Sequence, residues 1–172
     1  MMMARLGLAA VTLAATTGLA HAEGFAVRDL ETLTVDTSGY TGAGSFDYGA
    51  RASNRLTVFC AECPGLTAVD VIVGRSEDGT EARYRSGETT IDAMEAQCKA
   101  RSPTCELDAA ELGEAVGWVT RYETGGRAGS TTVLFLDGDQ LIIRSTAPDV
   151  DTAYANGQVA LATIGHIIVR GD

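Results

Sequence analysis

The residues whose type and spacing could do chemistry are four cysteines. Cys60-Ala61-Glu62-Cys63 is followed by Cys98 and Cys105, and the 172-residue chain has no others. Such a set supports three chemistries. Paired, the cysteines staple a fold. A C-x-x-C pair can instead cycle between dithiol and disulfide. Two pairs spaced C-x2-C and C-x6-C could close a zinc site of four thiolates.

The elements around the cysteines discriminate among these. A thioredoxin-like site needs its C-x-x-C at the start of a helix, where the dipole lowers the thiol pKa. Here Pro64-Gly65 breaks the chain, and Val69 to Val73 alternates like a strand. A c-type haem site requires histidine where Pro64 stands. Thr89 with Asp92 reads as a capping-box variant, and Ile91, Met94 and Cys98 then recur on one helical face. Ser102-Pro103 ends that helix, with Cys105 just beyond it. Four cysteines allow three connectivities. A Cys98–Cys105 loop is worth roughly 2 to 3 kcal/mol and a crossed pair about 4, so energy does not decide. Local geometry favours Cys60 with Cys63 and Cys98 with Cys105.

The redox compartment is read from the leader. Arg5 is followed by an uncharged run from Leu6 to Ala20, and Ala20-His21-Ala22 precedes Glu23. A positive start, an apolar core shorter than a bilayer span and an A-x-A site predict a signal peptide over 1–22. No second apolar run follows, so no membrane span is expected after cleavage. The formal net charge is −10, and loss of Arg5 makes the mature chain one unit more acidic. That charge disfavours nucleic acid and anionic lipid.

Other constellations carry less. Beyond the leader, His166 is the one histidine, so no nucleophile–base pair can be assembled on a second one. Gly125 to Gly129 joins two strand-like runs and lacks a GK[ST] signature, which makes it a hairpin loop rather than a phosphate cradle. Carboxylate pairs drawn from 23 acids have no specificity. No catalytic set, cofactor motif or metal site is expected.

Taken in order, Phe25 to Val35 suggests one strand or two short ones. Residues 36–54 turn to Gly, Ser, Thr and Asn with Tyr40, Phe46 and Tyr48 interspersed, a loop or ordered arm. Arg55 to Phe59 is β-prone. Asp78-Gly79 predicts a hairpin between Val69–Val73 and Thr80–Ser86, with Val73 facing Tyr84. After Cys105 an irregular acidic stretch leads to a strand at Val116–Tyr122. Thr131–Leu136 and Leu141–Ile143 form a hairpin across Asp137-Gly138. Pro148 then opens a helix whose stripe is Val150, Ala153, Tyr154, Gly157, Leu161 and Ile164. The division expected is 1–22 signal peptide, 23–54 N-terminal strand and arm, 55–172 α+β domain.

Asp78 to Ser86 and Asp137 to Ser145 echo each other, each ending Arg-Ser before a helix. Two explanations stay open, a duplicated ββα unit or recurring turn and cap chemistry. The expected fold is α+β, an antiparallel sheet with two helices packed on one face. The segment Thr131 to Ile164, a strand, an Asp-Gly turn, a strand ending Arg144-Ser145-Thr146-Ala147-Pro148-Asp149 and an amphipathic helix, resembles the closing segment of PsbP-like, Mog1-like and DcrB-like domains. The resemblance covers about a fifth of the chain. It implies an α+β fold and an accessory or binding role, and the cysteines are no part of that shared pattern.

The functional expectation is an exported, periplasmic or secreted, non-enzymatic accessory or binding protein stapled by disulfides, with a protein or small molecule as partner. Recognition is expected around Tyr40, Phe46 and Tyr48 beside Glu62 in the cysteine turn, since loops on rigid scaffolds carry function. The alternative is a thiol redox or soft-metal role for Cys60 and Cys63.

Overall fold

Period-2 patterning recurs along the chain, and strands make up more of the described residues than helices do. A computed structural model describes residues 24–42 and 44–171; the expected leader, 1–22, lies outside the described residues. Among the described residues seven strands, β1 (Phe46–Ala52), β2 (Arg55–Cys60), β3 (Thr67–Arg75), β4 (Glu106–Leu112), β5 (Ala115–Thr124), β6 (Arg127–Leu136) and β7 (Asp139–Ala147), form one sheet. Its order is β1-β2-β3-β7-β6-β5-β4, with every neighbouring pair antiparallel. Two short helices, α1 (Thr80–Arg85) and α2 (Ile91–Lys99), connect β3 to the far edge strand β4. The C-terminal helix runs as α3 (Val150–Ala160), a π-helical turn (Leu161–Gly165) and α4 (His166–Arg170).

The alternation sorts the two faces. Leu56, Val58, Val69, Val71, Leu141, Ile143 and Leu134 point to one side and are fully buried. The C-terminal helix covers that side, its Ala153, Ala160, Ile164 and Ile168 completing the core. Gly157 packs against β6 and β7, and a Cβ there would make only ordinary contacts, 3.5 Å from Ser130 Oγ and 3.7 Å from Ser145 Cβ. Residues 24–42 close the rest of this face. Phe25, Leu30, Val35 and Tyr40 enter the same core, and Thr41 exchanges two hydrogen bonds with the buried Asn156 side chain.

The other face carries Val116, Trp118 and Phe135. Tyr84 of α1 lies 5.4 Å from Trp118, ring to ring, and its hydroxyl donates to the Gly117 carbonyl at 2.6 Å. Arg121, one pleat out of phase with Trp118, instead sits over Tyr154 of α3. Strand alternation therefore puts α1 and the C-terminal helix on opposite faces.

Several expectations change. The expected strand Thr80–Ser86 is instead the helix α1 with Ser86 as its C-cap, so Val73 pairs with Leu141 rather than facing Tyr84. Asp78 is the cause: its Oδ1 accepts from Thr80 N at 3.0 Å and from Ser76 Oγ at 2.9 Å, so it starts a helix where a turn was read. The echo partner Asp137-Gly138 does turn a hairpin, with φ of 51° and 82° at its two residues. The two echoing segments thus differ in structure. The acidic stretch after Cys105 is the edge strand β4, and part of the 36–54 loop is the edge strand β1. Phe25–Val35 forms no strand; its amides pair singly, Val27 with Ile168 and Leu30 with Ser53.

Candidate functional site

The four cysteines form two disulfides, Cys60–Cys63 and Cys98–Cys105, with Cα separations of 5.5 and 5.8 Å. Both lie at the same end of the sheet. Strand β2 rises to Cys60 and β3 leaves from Thr67, opposite it in register. Phe46 pairs with Cys60, Glu106 with Arg121, and Ala128 with Ala147, so the chain entering β1, the α2–β4 connection, the β5–β6 hairpin end and the start of α3 all lie along that end. The opposite end carries the Asp137-Gly138 turn and the buried Asp139.

The Cys60–Cys63 bridge ends a strand and is covered by glycine. A Cβ on Gly42 would fall 2.6 Å from Cys63 Sγ, and one on Gly44 3.1 Å from Cys60 Sγ. Cys60 is buried, while Ala61, Glu62, Pro64, Gly65 and Leu66 project into solvent. Leu66, 55% exposed, is the one large exposed hydrophobic among the described residues. Cys105 is fully buried and anchors the chain after Pro103 against β4, while Cys98 fixes the end of α2 above it.

The expected recognition residues separate. Tyr40 and Phe46 stack at 5.3 Å inside the core beneath the cysteine turn, and only Glu62 is fully exposed. Tyr48 is half-buried; its hydroxyl both accepts from Val35 N and donates to Val35 O. Burial pushes the Tyr40 phenol up to about 12, and its hydroxyl sits beside Thr163 without a hydrogen bond of proper geometry. These aromatics cap one end of the sheet. His166 lies half-buried after the π turn, along a shallow groove shared with Val35 and Asp36. Among the described residues no group of three or more His, Cys, Asp or Glu side chains is placed to hold a metal ion.

Two cavities open at the disulfide-braced end. One, of about 410 Å3, lies between Pro103-Thr104, Glu123 to Arg127 and Pro148. The other, of about 340 Å3, lies between α2 and the sheet, lined by Cys98, Arg101, Ser102, Thr120, Tyr122, Thr124 and Thr131. The α2–β4 connection forms the wall between them. Ser102 Oγ donates to the Glu123 carbonyl at 2.8 Å, and Thr104 Oγ1 accepts from Glu123 N at 3.2 Å, which fixes that wall to β5. Sequence reading found the cysteines but missed that both bridges lie at one end of the sheet, because β4 was taken as irregular and its pairing with β5 sets the end at which Cys105 enters.

No protein-family model and no curated protein matches the chain.

Proposed function

We propose that this is an exported, disulfide-stapled binding protein of the periplasm or extracellular space, acting through the braced end of its sheet and not through thiol chemistry. The observation that carries the proposal is that both disulfides lie at the end of the sheet where the two cavities open, with Cys98 of the second bridge in the wall of one of them. Bonds placed there hold recognition loops in a fixed arrangement before a partner arrives, which lowers the ordering cost of binding. The sequence leader supports export, and disulfides are at home in an oxidising compartment.

The burial of Cys60 and its place at the end of β2 weigh against the redox alternative, since an attacking thiolate is favoured by access and a helix N-terminus. The expected recognition site moves accordingly, from the aromatic rings of Tyr40 and Phe46 to the outer shell above them, Glu62 to Leu66 and the rims of the two cavities.

Cell fractionation with N-terminal sequencing tests this reading. The expected product is found outside the cytoplasm, begins at Glu23, and has an intact mass about 4 Da below the fully reduced value, two hydrogens for each bond. An unprocessed cytoplasmic chain with free thiols would overturn it.

A further inference from the structure

The cavity beneath α2 is built to hold hydrogen-bonding groups that the protein does not itself satisfy. Thr120 and Thr131 stand opposite each other on β5 and β6, and Tyr122 stands opposite Gly129. A Cβ on Gly129 would fall 2.6 to 2.9 Å from the Tyr122 ring and hydroxyl, so the ring lies across the glycine backbone. That position also presents Tyr122 to the cavity.

Among the described residues, neither the Thr120, Thr124 and Thr131 hydroxyls nor the Tyr122 hydroxyl makes a protein hydrogen bond, and the Arg101 guanidinium has no carboxylate partner. Ser102 Oγ donates to Glu123 and keeps a lone pair to accept with. Hydroxyls that can both donate and accept, one aromatic ring and one cation therefore line a space of about 340 Å3. That volume is at the small end of the roughly 300–1,000 Å3 typical of ligand pockets.

We infer that this cavity binds a hydroxylated ring of monosaccharide size bearing a carboxylate, an acidic sugar or sugar acid. The Thr and Ser hydroxyls match ring hydroxyls, which also donate and accept. The apolar body of Tyr122 suits the C–H face of such a ring, with its hydroxyl at the wet edge. Arg101 supplies the planar fork that pairs with a carboxylate in two parallel hydrogen bonds. The Cys98–Cys105 bridge keeps α2 at its distance from β5, so the space is held open in the absence of ligand. The inference rests on the binding-protein reading above and names the ligand class for one of its two cavities.

The test is two-dimensional NMR of the mature, doubly bridged protein titrated with D-glucuronate, D-glucose and acetate. Glucuronate should shift Tyr122, Thr120 and Thr131 with a Kd of millimolar order or tighter, glucose should act at the same residues more weakly, and acetate should leave them unmoved. Arg101→Gln, a change at an exposed side chain, should weaken glucuronate about tenfold and leave glucose unchanged. Tyr122→Ala should remove both; if it fails to fold, Thr131→Val gives the second reading, a loss shared by both sugars. Shifts absent or scattered elsewhere, or acetate matching glucuronate at these residues, would overturn the ligand assignment. That outcome in a correctly exported, bridged protein leaves the binding-protein reading standing, whereas a reduced cytoplasmic chain removes it whatever the titration gives.

Discussion

Asp139 and Phe25 are far apart in sequence, yet the Phe25 amide donates to the Asp139 carboxylate at 2.9 Å in the buried corner opposite the disulfides. The same carboxylate, 2% exposed, accepts from Arg28 Nε at 2.7 Å and Arg75 Nη1 at 2.9 Å. One side chain thereby ties the N-terminal segment, the end of β3 and the start of β7 together.

Replacing Asp139 by Ala would leave the Phe25 amide buried without this acceptor and take from Arg28 and Arg75 the carboxylate they share. Both arginines are more than half exposed, so solvent offsets part of the loss. A cost of about 2–3 kcal/mol follows, chiefly from the orphaned amide and the broken cluster. Denaturant unfolding measures it, and an unchanged midpoint would contradict the role given to Asp139.

Gly117 faces backbone rather than a movable side chain. A Cβ there would stand 1.8 Å from the Val133 carbonyl oxygen and 3.1 Å from Leu134 Cα. Gly117→Ala must shift β5 against β6 and disturb the carbonyl that receives Tyr84, so a loss of about 3 kcal/mol or more is expected in thermal unfolding. Gly74, with nothing within 4 Å of its Cβ position, is the control and should tolerate Ala.

Acid should act first on the ends of helices. Hydrogen bonds from the Thr80 side chain and amide and from Ser76 hold the Asp78 carboxyl at about 2, below its ordinary 3.8. A folded pKa below the unfolded one contributes stability that is complete above about 4 and is lost as pH falls through about 2. The start of α1 should therefore loosen within that window, and Asp78→Asn should flatten the pH dependence of amide exchange at Thr80. A profile identical in the variant would contradict this.

Alkali should act on Tyr40. Its phenol, raised to about 12 chiefly by burial, contributes fully below its ordinary value of 10, and the contribution fades as pH rises through about 12. Tyrosinate absorbance should show one phenol titrating well after the exposed ones and together with loss of structure, and Tyr40→Phe should remove that step.

Much of the sheet was legible because alternation and turn chemistry agree at particular places. Leu134 opposite Leu141 across Asp137-Gly138, and Cys60 at the end of Arg55–Phe59, follow from period and turn type alone. The two disulfide pairings were legible from local spacing. What was not legible depends on long-range partners. Asp78-Gly79 has the same letters as Asp137-Gly138, but Asp78 bonds forward to Thr80, and Glu81 accepts from the Asp137 and Gly138 amides at 3.1 and 2.8 Å. That contact to a distant turn supports a helix where local propensity suggested a strand. β4 alternates poorly, because an edge strand with Glu106, Asp108 and Glu111 has little apolar surface to reveal. Tyr40 and Phe46 looked like a binding loop because composition cannot tell a core cap from an exposed ring. The braced end became visible only once strand order brought residues 103–104 and 124–127 together and set residues 60–66 at the same end of the sheet.

The central claim is that both disulfides serve as braces for a binding surface rather than as thiol chemistry. Equilibrating the exported protein with glutathione buffers across the range from about −300 to −180 mV, followed by alkylation and mass analysis, tests it most directly. Both bonds should stay closed throughout, with no thiol trapped at Cys60 or Cys63. Reversible opening of the Cys60–Cys63 bond within that range, with Cys98–Cys105 intact, would contradict the account and establish a redox site.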